Sequence, residues 1–149
     1  MSMKFFITAL TLLLIPLGGH AVEPADPQVA RPFRANIFNK EYDVLLNINL
    51  YDNDIIVPGQ EVFGLMSGYL VKTGTTFYWF VTSAQISDDG QQATLFLTND
   101  YGSEDMTALL TCDTDSTYTL KQLKGSTLKV PKGGKWQKLP KTLTLKRKK

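Results

Sequence analysis

The sequence predicts an all-β fold: a single small antiparallel β-barrel or β-sandwich of about eight to ten strands. Three observations carry the expectation. Apolar residues alternate at period two in several separate windows. Turn-forming residues interrupt those windows roughly every 8–12 positions, as in small all-β domains. No window sustains the 3.6-residue period of an amphipathic helix.

The chain opens with Lys4, an apolar run from Phe5 to Leu17, and the small-residue exit Gly18-Gly19-His20-Ala21. A charge, a short apolar core and small residues in that order predict a secretory signal peptide over residues 1–21. The apolar run is shorter than a bilayer-spanning helix requires. The mature chain would begin at Val22, be exported to the periplasm or the cell exterior, and keep no transmembrane segment. Residues 22–32 (VEPADPQVARP) contain three prolines and read as an extended lead-in. Residues 33–149 are expected to form one all-β domain that ends in basic strands.

Within that domain, Tyr42, Val44, Leu46, Ile48 and Leu50 alternate with Asp43, Asn47 and Asn49, the pattern of a half-buried strand. Asp52-Asn53-Asp54 and Pro58-Gly59 are turns around a short run from Ile55 to Val57. Residues 63–72 and 75–85 form two apolar runs on either side of Lys72-Thr73-Gly74. In the first, Gly64 and Gly68 fall on one face and mark a bend or the close approach of another group. In the second, Phe77, Trp79 and Val81 oppose Tyr78 and Phe80, so both faces need cover. Alternation resumes at residues 91–98 after Asp88-Asp89-Gly90, then at 106–112, 117–124, 126–130 and 142–147.

Composition narrows the chemistry. His20 is the only histidine and lies in the leader, and Cys112 is the only cysteine. A mature chain without histidine lacks the usual general base, so the expectation is a protein that is not an enzyme. One cysteine cannot form an intrachain disulfide, and Cys112, beside Asp113 and Asp115, reads as a buried, unreactive thiol. No cofactor and no metal site are expected. The acidic segments Asp52/Asp54, Asn99–Asp105 and Asp113/Asp115 lack a calcium-loop spacing and suit turns.

Two groups of residues could bind a ligand. Tyr69, Phe77, Tyr78, Trp79 and Phe80 could line an aromatic cavity for a small apolar or glycan ligand, or could simply pack a core. The second group follows from charge. Residues 22–120 carry four basic and fourteen acidic side chains, whereas residues 121–149 carry eleven basic ones and no acid. Lys129, Lys132, Lys135, Lys138 and Lys141 recur every third residue around Trp136. A strand would scatter that period over two faces, and a polyproline-II ribbon would align it. These residues could meet an anionic envelope component or acidic protein, or the basic strands could pair beside acidic ones and be neutralised. Nucleic acid is not an expected partner of an exported protein. Such an architecture invites comparison with lipocalins, but the early Gly-x-Trp signature of that family is missing: the first tryptophan, Trp79, follows Phe77-Tyr78.

The sequence therefore points to an exported, non-catalytic protein that binds a ligand or partner. Two rivals remain: a glycan-active enzyme that uses carboxylates alone, and an inhibitor or subunit of a secreted or surface assembly.

Overall fold

The computed structural model describes residues 31–148. The leader expected over residues 1–21, and most of the proline-rich segment 22–32, lie outside the described residues.

The fold is a closed antiparallel barrel of eight strands, so the barrel alternative holds over the sandwich. The strands in chain order are β1 (Arg34–Asn39), β2 (Val44–Asn49), β3 (Ile55–Ile56), β4 (Leu65–Met66), β5 (Gly68–Lys72), β6 (Tyr78–Ile86), β7 (Gln92–Asn99), β8 (Asp105–Cys112), β9 (Thr117–Gly125), β10 (Lys129–Lys132), β11 (Lys135–Lys138) and β12 (Thr142–Arg147). Around the barrel the order is β1-β12-β9-β8-β7-β6-β5-β2, and β2 returns to β1. Closure leaves the barrel no open sheet edge, which removes a common route to aggregation. Two insertions stand outside it: the small β3–β4 sheet between β2 and β5, and the β10–β11 hairpin between β9 and β12.

Period-two patterning decides which side chains point inward. Ala93, Leu95 and Leu97 of β7 and Met106, Ala108 and Leu110 of β8 are buried, while their alternates are partly exposed. Each fully buried Leu, Ile, Val or Phe contributes about 1.5–3 kcal/mol relative to exposure, and the barrel interior gathers such residues from every strand.

β5 and the first half of β6, Tyr78 to Val81, are buried on both faces, as their sequences require. Leu70, Phe77, Trp79 and Val81 belong to the interior, whereas Tyr69, Val71, Tyr78 and Phe80 form a separate external cluster with Val57. The segment between β2 and β5 provides the cover: Ile55 and Met66 pack on this cluster, and the Phe63 ring lies 5.4 Å from that of Phe80. Gly68 shows the expected close approach. A Cβ there would overlap the Asn47 carbonyl and the Ile48 side chain on β2.

Alternating strand directions place the turns at residues 40–43, 73–77 and 100–104 at one end of the barrel, with the β10–β11 hairpin. Asp43 and Thr73 confirm the grouping, since the Thr73 amide donates to the Asp43 carbonyl at 2.9 Å. At the other end, the Tyr118 hydroxyl donates to the Pro32 carbonyl at 2.5 Å, and the Tyr51 hydroxyl accepts from the Phe33 amide at 3.0 Å. These bonds satisfy polar atoms beside fully buried Phe33 and Tyr118.

Candidate functional site

The β10–β11 hairpin lies across one mouth of the barrel, and its sequence explains how. Gly133 and Gly134 both have positive φ, 61° and 79°, as the two central residues of a tight type I′ hairpin turn require. An isolated two-stranded ribbon is marginal in water, so other contacts must hold it. Leu128, Val130 and Leu139 enter the barrel core. The Trp79 indole N–H donates to the Lys129 carbonyl at 2.9 Å. Gln122, a buried polar residue at an inward position of β9, grips both legs. Its Oε1 accepts from the Leu128 amide at 2.8 Å, and its Nε2 donates to the Leu139 and Pro140 carbonyls at 3.3 and 3.0 Å.

The hairpin displays its lysines in a defined pattern. Lys129 pairs across the strands with Lys138, and Lys132 with Lys135. The period of three therefore does not produce a ribbon with one basic edge. The two-residue turn reflects it, so Lys129 and Lys138 share a face with Trp136 and Pro131, while Lys132 and Lys135 share the other with Val130 and Gln137. Like charges directly opposite each other are destabilising, so this arrangement is costly for the free protein. Among the described residues, neutralisation of the hairpin is confined to one lysine: Lys129 meets Glu104, on the loop before β8, at 2.7 Å. Among the described residues the only other ion pair is Arg31–Asp52, leaving Lys132, Lys135, Lys138 and Lys141 without an acidic partner.

Aromatic rings adjoin this charge. The Trp136 ring centroid is 4.7 Å from that of Phe77, and Tyr101 lies 5.4 Å from Phe77 on the loop between β7 and β8. Phe77 is buried, whereas Trp136 is 47% exposed and Tyr101 74% exposed. Lys129 Nζ lies 5.5 Å from the Trp136 centroid, within cation–π range. Glu104, held below the usual carboxylate range by its hydrogen bond to Lys129, stays ionised and fixes that lysine against the ring. The Asn99 side chain orders the loop by accepting from the Ser103 and Glu104 amides at 2.9 and 3.3 Å.

The five aromatic residues singled out from the sequence divide between two places. Phe77 and Trp79 lie in the core, Trp79 with 0% exposure, and Tyr69, Tyr78 and Phe80 lie in the external cluster. The six residues of the basic segment stay together on and beside the hairpin. Sequence reasoning missed Tyr101, Glu104 and Gln122. Gln122 carried a legible signal, being polar in an alternation that puts Tyr118 and Leu120 inside; Tyr101 and Glu104 carried none beyond their acidic turn.

The remaining acidic segments are turns. Asn49 Nδ2 donates to Asp52 at 3.2 Å and to Asp54 at 2.9 Å, and Asp113 accepts from the Thr119 hydroxyl at 2.6 Å. Among the described residues no three His, Cys, Asp or Glu side chains converge as a metal-holding group. Free Cys112 is partly buried, with its thiol on the Thr114 carbonyl; burial raises its pKa, aided by Asp113 and opposed by Arg147. Among the described residues no helix is long and apolar enough to cross a membrane. Comparison with family models, with curated proteins and with solved structures finds no match.

Proposed function

We propose that this protein is a non-catalytic binding protein that works outside the cytoplasm, holding an anionic partner through the hairpin at the barrel mouth. One observation carries the reading. Four lysines on or beside the hairpin, Lys132, Lys135, Lys138 and Lys141, have no acidic partner among the described residues, and the strands pair lysine with lysine. An anion placed there would relieve a repulsion that the free protein bears. The leader-like sequence over residues 1–21 supports export.

Carboxylate catalysis finds less support. A general acid needs a raised pKa, yet Asp89 and Glu104 are both held below the usual range, Asp89 chiefly by the Ser87 hydroxyl and Glu104 by Lys129.

The test is binding of inorganic polyphosphate to the mature protein as salt rises from about 0.1 M to about 1 M, where the screening length falls from about 10 to about 3 Å. Affinity should fall steeply, and a triple variant (Lys132→Gln, Lys135→Gln, Lys138→Gln) should bind weakly at every salt concentration. Equal binding by the triple variant would refute the reading. Export is tested separately: the amino terminus of protein from the exported fraction should be Val22.

A further inference from the structure

Resting on that reading, we infer that the anionic partner is an acidic polysaccharide, with a uronate ring stacked on the Trp136–Tyr101 shelf and its carboxylate met by Lys138. Both rings are held from beneath. Two exposed rings rest against one buried ring, Phe77, so their orientation is set before a ligand arrives. Rigid aromatic side chains lose little entropy on binding, and their apolar faces suit the C–H faces of pyranose rings. Trp136 and Lys138 are two residues apart on β11 and share a face, so their backbone positions are about 7 Å apart and a cation and a stacking ring stand side by side.

The charges around the shelf fit a carboxylate ligand. Glu104 of the neighbouring loop is occupied by Lys129, and Asp100 is the other acid of that loop. Against them stands Lys138 on the Trp136 face, with Lys132 and Lys135 on the opposite face of the hairpin and Lys141 beyond its end, none in an ion pair with a described residue. A single free cation beside a stacking ring matches a sugar that carries one charge.

Two other anion classes fit less well. A lipid surface would call for an apolar tip to enter the bilayer, but the tip is Lys132-Gly133-Gly134-Lys135. Compact phosphate recognition favours the bidentate fork of arginine, and the segment from Lys121 to Lys141 has only lysines.

The experiment titrates the mature protein with oligogalacturonate, its methyl-esterified form, inorganic polyphosphate and phosphatidylglycerol vesicles, followed by calorimetry and tryptophan fluorescence. Oligogalacturonate should bind and perturb the exposed tryptophan. Methyl esterification should weaken binding about tenfold or more, and Trp136→Ala should do likewise, since tenfold corresponds to about 1.4 kcal/mol. The same substitution should leave polyphosphate binding within about twofold, since that contact is with lysines alone. Circular dichroism of Trp136→Ala should retain the β signature, and if the alanine variant unfolds, Trp136→Leu replaces it. Undiminished oligogalacturonate binding without the indole overturns the shelf. Binding of polyphosphate or vesicles with no binding of oligogalacturonate overturns the polysaccharide assignment and leaves the basic surface intact. Failure of every anion to bind overturns both.

Discussion

Replacing Trp79 with Phe tests how the hairpin is held on the barrel. Trp79 is fully buried, and its indole bonds a carbonyl fifty residues further along the chain. Phe keeps the aromatic packing and deletes the N–H. Leaving the Lys129 carbonyl without that donor costs about 1–3 kcal/mol. The roughly 40 Å³ of lost side-chain volume adds about 1 kcal/mol at about 24 cal/mol per Å³ of cavity. The sum is about 2–4 kcal/mol, or a fall in Tm of about 8–16 °C at roughly 4 °C per kcal/mol for a domain of this size. Calorimetry measures the total, and amide hydrogen exchange locates it. Amides of residues 129–138 should lose protection ahead of those in β7 and β8. A Tm within about 2 °C of wild type, with hairpin protection unchanged, would refute the reasoning.

Three further outcomes follow from other contacts. Gln122→Leu strands the Leu128 amide and the Leu139 and Pro140 carbonyls; stability in urea should fall by about 2 kcal/mol or more, again with faster exchange in the hairpin. Burial pushes the Tyr118 phenol up to about 12, against the pull of Arg147. Because the fold favours the neutral phenol, this contribution is intact below pH 10 and lost as pH rises from 10 through about 12, by roughly 2 kcal/mol. Urea denaturation across that window should show a shallower loss in Tyr118→Phe than in wild type. Glu104→Gln removes the partner of Lys129; stability should drop by about 0.5–1 kcal/mol, while polyphosphate affinity rises because one more lysine is free.

The barrel strands were legible wherever alternation was clean. Ala93, Leu95 and Leu97, and Met106, Ala108 and Leu110, fall inside as their spacing requires. The two-faced strand around Trp79 showed that both faces need cover without saying what covers them, and the Phe63 segment supplies the outer cover. β1 gave a weak signal, since only Ala35 and Ile37 of RANIFN are buried. β11 (KWQK) has no buried residue and looks like loop sequence. Closure was not legible at all. It rests on β1 meeting β12 through Ile37↔Arg147 and Phe38↔Lys146, a pairing between the two ends of the domain that no local pattern encodes.

The basic segment was visible as composition, but its geometry was not. A period of three reads as a ribbon when the chain runs straight. The Gly133-Gly134 turn folds it back and pairs the lysines with one another. The aromatic shelf was harder still, because Tyr101 is thirty-five residues from Trp136 and meets it only through Phe77.

The most direct test of the account is a map of amide chemical-shift changes as a soluble polyanion is titrated into the isotope-labelled protein comprising residues 22–149. The account predicts saturable shifts confined to residues 99–104 and 128–141, with the outer strands of β7–β9 and the Phe63 segment unmoved. Shifts centred on Phe63 and Leu65, or spread evenly over the barrel, would contradict it.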